Sequence, residues 1–191
     1  MEFFDYDSGF KPQKGDLLVS EPFLPDPNFE RTVVLLCDHS ETGTLGFIIN
    51  KPSSLMLVDL MDSDDTPNEP TFVGGPVQQD TLHFIHRRDD VLDGMYLGNN
   101  LYWGGDYDKA KLLLLDGVVT SDQIRFFVGY SGWGESQLES EMRQKSWIIS
   151  RDASPELLFK TEPEATWKYV LNKMGGKFSI IANYPVDPRL N

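Results

Sequence analysis

A single α+β domain is the fold this chain predicts, and three observations carry that expectation. Strand-like and helix-like patterns both occur but do not alternate regularly, which fits α+β packing better than a doubly wound sheet. At 191 residues one domain is the default, and a chain of that size buries roughly 70% of its unfolded surface, enough for its own core. Sixteen glycines and 12 prolines keep the elements short and the loops numerous.

Residues 1–14 are polar and aromatic without a period. They read as an N-terminal arm packing through Phe3, Phe4, Tyr6 and Phe10, ahead of one domain over residues 15–191. Leu17 to Ser20 is a short strand stopped by Pro22. Pro25-Asp26-Pro27-Asn28 is a turn, because two prolines preset φ and Asp and Asn bond nearby backbone. Thr32 to Cys37 is a β-branched run and reads as a buried strand. Gly43 pivots a turn into Leu45 to Asn50, a second strand stopped by Lys51-Pro52, so the two form a hairpin or close pair. Ser53 to Asp62 reads as a short serine-capped helix. An acidic loop with Pro67 and Pro70 follows, and then strands at Thr71 to Val73 and Thr81 to His86. Residues 89–105 carry short strands and turns. Asp106 caps a helix over Tyr107 to Leu115, closed by Gly117. Ile124 to Tyr130 is a strand that enters a glycine-rich loop. Glu135 to Lys145 is a helix whose early acids and late bases suit its dipole. Trp147 to Ile149 is a strand and Pro155 to Phe159 a helical turn. Pro163 opens an amphipathic helix with Trp167, Val170, Leu171 and Met174 at i, i+3, i+4 and i+7. Phe178 to Ala182 reads as a last strand.

Charge and cysteine content narrow the function classes. Thirty acids against 17 bases give a formal net charge of -13. Nucleic-acid affinity rests on cations that displace counterions from phosphates, and the one adjacent basic pair, Arg87-Arg88, is followed at once by Asp89-Asp90. Direct DNA or RNA binding and attachment to an anionic membrane are therefore disfavoured. Cys37 is the single cysteine, so no intrachain disulfide exists. The acidic N-terminus is unlike a secretory signal, and no apolar run approaches the ~20 residues of a membrane helix. A reducing, cytoplasmic location is expected, with no cofactor.

Residues 124–142 hold the most specialised stretch, a strand, a glycine-rich turn and an acid-rich helix. Gly129-Tyr130-Ser131-Gly132 misses the nucleophile elbow because Trp133 stands where the second glycine belongs. The same stretch misses the phosphate loop because Glu135 replaces the lysine. The favoured reading is a turn whose small residues admit Tyr130 and Trp133 to the core. Cys37 and His39 share one face of a continued strand, but Cys37 ends an apolar run and reads as a small hydrophobe. His83 and His86 face opposite sides of a strand, and the acidic run from Asp62 lacks the calcium-loop pattern, so no metal site is expected. Asp26, Asn28, Arg31 and Lys51 flank two core strands. Arg31 is expected to be held by a carboxylate or by carbonyl oxygens; the sharper alternative is an anion site formed by Arg31, Lys51 and the backbone of Gly74 and Gly75.

Several blocks together resemble the YqgE/AlgH family. They are Gly15-Asp-Leu-Leu-Val-Ser-Glu-Pro22, Asp26-Pro-Asn-Phe-Glu-Arg-Thr-Val-Val-Leu-Leu36, His39 with Gly43-x-x-Gly46-x-Ile-Ile-Asn-Lys-Pro52, Val73-Gly-Gly-Pro-Val77, and Gly129-Tyr-Ser-Gly-Trp133 with Gln137-Leu-Glu139. The resemblance implies one α+β domain whose mostly antiparallel mixed sheet curls into a partial barrel with helices around it. It supplies no catalytic residues, and members carry small residues, alanine included, at the Ser131 position. One branch bears a name tied to transcriptional regulation. The resulting expectation is a non-enzymatic interaction or regulatory protein that meets protein partners through the Gly129 to Glu139 segment, including Tyr130, Ser131, Trp133, Gln137 and Glu139, with Asp26 to Arg31 and Gly74-Gly75 nearby. The alternatives are a small-molecule or phosphate-binding enzyme using Ser131 or Arg31, and a direct DNA-binding regulator.

Overall fold

The computed structural model describes residues 10–61 and 65–186. Ten strands make one mixed sheet among these residues: β1 (Leu17–Ser20), β2 (Val33–Ser40), β3 (Gly43–Ile48), β4 (Pro52–Met56), β5 (Pro70–Val73), β6 (Val77–His86), β7 (Met95–Gly98), β8 (Leu101–Trp103), β9 (Ile124–Gly134) and β10 (Trp147–Ser150). The order runs β10-β1-β2-β3-β9-β6-β8-β7, with β5 attached to β9 and β4 to β5. Every pairing is antiparallel except β5 with β9. Six helices pack on it: α1 (Leu57–Leu60), α2 (Tyr107–Leu115), α3 (Gln137–Arg143), α4 (Pro155–Lys160), α5 (Pro163–Met174) and α6 (Lys177–Ile181).

Period-two alternation in β1 and β2 explains the layering. Leu17, Val19, Val33, Leu35 and Cys37 face the main core, where α4, α5 and α6 contribute Leu157, Leu158, Trp167, Leu171 and Ile181. Leu18, Val34 and Leu36 face the other way, onto Leu138 of α3 and the rings of Trp133 and Trp147. A third layer sets Leu57 of α1 and Ala110 of α2 against Phe84 and Phe126. Strands covered on both faces need continuous apolar runs, as Val33 to Cys37 supply.

No ladder joins β10 to β7 among the described residues, so the sheet is not a closed barrel. It is curled. Asn99, at the tip of the β7–β8 hairpin, donates from Nδ2 to the Ala153 carbonyl beyond β10 at 2.8 Å. Gly15, just before β1, lies so close to β7 that a Cβ would stand 2.1 Å from the Leu97 carbonyl oxygen. No helix among the described residues is long and apolar enough to cross a membrane.

Four expectations require correction. Pro52 to Met56 is a strand on β5, so only Leu57–Leu60 of the expected Ser53 to Asp62 helix is helical; a partner strand outweighed a polar sequence that could also cap a helix. Phe178 to Ala182 lies in α6 and its end, where an apolar run too short to show a period had read as a strand. The expected loop after Tyr130 belongs to β9 as far as Gly134, and its residues pair with Gly43 to Gly46; the helix after it starts only at Gln137, preceded by Ser136 at φ 58. A bulge between Leu36 and Asp38 sends Cys37 into the main core and His39 toward α3, so the two do not share a face. The expected arm at residues 1–14 lies outside the described residues as far as residue 9; Phe10 lies under the Arg151 guanidinium, 4.2 Å from ring centre to carbon.

Candidate functional site

Gly74, Gly75, Tyr130 and Ser131 meet where β5 leaves the sheet and crosses β9. The Ser131 hydroxyl is buried and donates to the Gly74 carbonyl at 3.0 Å, and the Ile48 N–H donates to the same oxygen at 2.8 Å. The Gly74 N–H donates to Val128 O at 2.9 Å, so it does not offer itself to an anion. A Cβ on Gly75 would stand 2.2 Å from the Tyr130 carbonyl carbon. Gly129, at φ 65, turns β9 between its pairing with β5 and its pairing with β3. This is a packed crossing of two backbones. Ser131 bonds a carbonyl rather than a base, opposite to the arrangement that activates a nucleophile.

Trp133 and Gln137 converge on a residue the motifs did not single out. Glu141 Oε2 accepts from the indole N–H of Trp133 at 2.9 Å and of Trp147 at 2.7 Å, while its Oε1 accepts from Gln137 Nε2 at 3.0 Å. Gln137 Oε1 accepts in turn from the Gly134 N–H. Phe29 closes the group, with its ring centre 5.3 Å from that of Trp147. Trp133 is only 5% exposed, so it anchors α3 to the sheet and is no surface contact. The available signal was spacing: Glu141 stands four residues after Gln137, on the same helix face. Glu139 lies 4.0 Å from His39, whose Nδ1 is 2.7 Å from Thr44 Oγ1. An open cleft of about 430 Å³ beside this group is lined by Asp38, Thr44, Tyr130 and Trp133 among others, and no cation lines it.

Arg31 and Lys51 line a second cleft; Asp26 and Asn28 lie in the turn before Arg31 and do not line it. Asp26 Oδ1 accepts from the Asn28 N–H at 2.9 Å and sets the turn. Arg31 follows in the left-handed region, at φ 48. Asn50 holds it there, donating from Nδ2 to Arg31 O and accepting from Val33 N. The Arg31 guanidinium lies over the Trp167 ring at 4.7 Å and donates from Nη2 to the carbonyls of Tyr184 and Pro185 at 2.6 and 2.7 Å. Its Nε is buried with no hydrogen-bond partner among the described residues. Burial lowers its pKa, partly offset by Glu30. The cleft, about 350 Å³, is lined by Arg31, Lys51, Lys168, Asn50, Glu30 and Glu164, with Trp167 and two prolines. Gly74, Gly75 and Ser131 do not line it, so the anion site imagined from Arg31, Lys51 and the glycine backbone does not form in that combination.

Other reactive side chains have structural partners. Cys37 is fully buried, which pushes its thiol pKa well up. His86 lies within hydrogen-bond distance of the Asp93 and Gly104 carbonyls through Nε2 and accepts from the Arg88 N–H at Nδ1, and burial lowers its pKa. Arg125, also missed in the sequence, bonds Ile49 O at 2.9 Å and lies 4.0 Å over Phe72; burial brings its pKa down to about 10. No group of three metal-ligating side chains occurs among the described residues.

A family model described as AlgH-like matches residues 17–179, from the first residue of β1 into α6. The chain belongs to the AlgH-like family. Its AlgH-like relatives include a UPF0301 protein of Cytophaga hutchinsonii, 46% identical over 180 residues, 93% of this chain and 98% of the relative. A UPF0301 protein of Chlorobium limicola is 42% identical over 95% of this chain and 97% of its own length. The solution structure of the AlgH protein from Pseudomonas aeruginosa is similar over 92% of this chain and 98% of that one, with a TM-score of 0.70 and 26% identity. A crystal structure from Corynebacterium diphtheriae shares the AlgH-like fold, with a TM-score of 0.74 over 92% of this chain and 94% of that one at 22% identity.

Proposed function

We propose that this AlgH-like chain is a cytoplasmic, non-enzymatic interaction protein with a regulatory role, and that it meets a protein partner through the Arg31 cleft. One observation carries the reading. Arg31 is held by Asn50 in a left-handed conformation, over Trp167, at an open cleft that also has Lys51 and Lys168. Non-glycine residues occupy such backbone only when their surroundings over-determine it, and such strain clusters at binding sites. The conspicuous polar groups of β9 and α3 are instead engaged within the chain. With a net charge of -13, regulation through a protein partner is favoured over contact with DNA.

The test is capture of the tagged full chain from its native cells, with nuclease, alongside folded Arg31→Ala. A protein partner that survives nuclease and is lost in the variant is the expected result. The competing reading, an enzyme using Ser131 or Arg31, gains if a substrate panel shows ester or phosphate turnover that Ser131→Ala or Arg31→Ala abolishes. Sequence-specific DNA binding that weakens with salt would replace both readings.

A further inference from the structure

We infer that the group recognised in the Arg31 cleft is a phosphate monoester, free or carried on a partner's side chain. The inference rests on the binding reading above and adds its chemistry. Three cations line the cleft against the carboxylates of Glu30 and Glu164, a local positive balance on a strongly acidic chain. None of the three forms a salt bridge among the described residues. The Arg31 Nη2 is met by two neutral carbonyls and its ring neighbour is an indole, so its charge has no anionic counterpart in contact. Its Nη1 has no hydrogen-bond partner among the described residues. Lys51 makes only a long contact, 3.4 Å from Nζ to Asn28 O, and Lys168 is exposed. Both can swing to an anion at little cost.

The first turns of α5, with Pro163 and Glu164, open on the same cleft, so the positive end of a 12-residue helix adds to the side-chain charge. Three donor groups set at separate points favour an anion with three terminal oxygens over a carboxylate with two. Glu30 and Glu164 at the rim disfavour a bare anion but accept hydrogen bonds from the hydroxyls or amides of an organic ester. Asn50 binds the backbone on both sides of the site, to Arg31 O and from Val33 N, so the guanidinium starts from a fixed base.

Isothermal titration of the full chain with O-phosphoserine, glycerol 3-phosphate and an acetylated phosphoserine peptide tests the inference, with serine and succinate as controls. Expected is saturable binding of phosphate esters, weakened by salt and at least about tenfold tighter than succinate, equivalent to about 1.4 kcal/mol. The double variant Lys51→Met, Lys168→Met should keep the thermal midpoint and lose about tenfold or more in affinity. Arg31→Lys should keep the charge and still bind more weakly, because the fork is gone. Preference for the peptide over the small esters places the phosphate on a protein partner, and the reverse preference places it on a metabolite; both support the inference. No saturable binding by any ester at millimolar concentration overturns it, as does binding that the folded double variant retains. If capture of a protein partner stays Arg31-dependent while no ester binds, this inference falls and the interaction reading stands. If esters bind and no partner is captured, the interaction reading falls.

Discussion

Glu141 accepts from two indole N–H groups and from Gln137, so its loss leaves donors unpaired beneath α3. Glu141→Ala should destabilise by about 3 kcal/mol, since each stranded donor costs about 1–3 kcal/mol. Glu141→Gln should cost less, because its amide oxygen can still accept; denaturant unfolding of both variants measures the difference, and equal losses would refute the shared-acceptor account. Ser131→Ala removes a single buried donor from an oxygen that keeps its Ile48 bond, so about 1 kcal/mol is expected, with partner capture unchanged. His83 and His86 set an acid limit. Burial lowers both below the ordinary 6.5. As pH falls from about 6.5, the unfolded chain takes up these protons before the folded one, so stability falls with pH until the folded values are passed. Asp16 and Glu21, raised by burial from 3.8 and 4.5, act in the opposite sense at more acid pH, because there the folded chain binds the extra proton. Thermal midpoints should therefore drop between pH 7 and pH 5, less so in a folded His83→Gln variant.

Strand β9 carries the architecture, taking β6 along one edge and β5 and then β3 along the other. The crossing of Gly74-Gly75 over it admits no side chain, so Gly74→Ala, whose Cβ would stand 2.3 Å from Gly129 O, should cost about 2–4 kcal/mol or prevent folding. Expression of soluble Gly74→Ala with an unchanged melting midpoint would contradict that packing. Elements with their own terminal chemistry were legible in advance. Asp106 caps α2 through Lys109 N, and Pro163 and Gly175 bound α5. Elements whose state depends on a neighbour were not. Ser53 to Met56 has no strand pattern and is extended because β5 lies beside it. Ser131 to Gly134 reads as a loop because its glycines lower strand propensity, yet β3 fixes it in the sheet.

The curled sheet brings its two ends together through Asn99 and Gly15, contacts between segments far apart in the chain. Over this fold the net charge of -13 repels itself, so the melting midpoint should rise as salt increases from low to physiological levels; a flat or falling profile would show that local pairs dominate. Composition, apolar alternation and the motif blocks were enough to establish one α+β domain, its principal core strands and its family, because those follow from local pattern and residue identity. Arg31 and Lys51 were named in advance as polar groups beside core strands, and Ser131 and Trp133 as part of a glycine-aromatic motif, whereas Asn50, Lys168 and Glu141 were not. Nor was their division. Packing turned the motif inward, placing Ser131 under a carbonyl and Trp133 on Glu141, and drew Arg31, Lys51 and Lys168 to one cleft. Burial and proximity of side chains up to 137 residues apart arise from how the sheet curls and where α5 docks, and no local pattern encodes either.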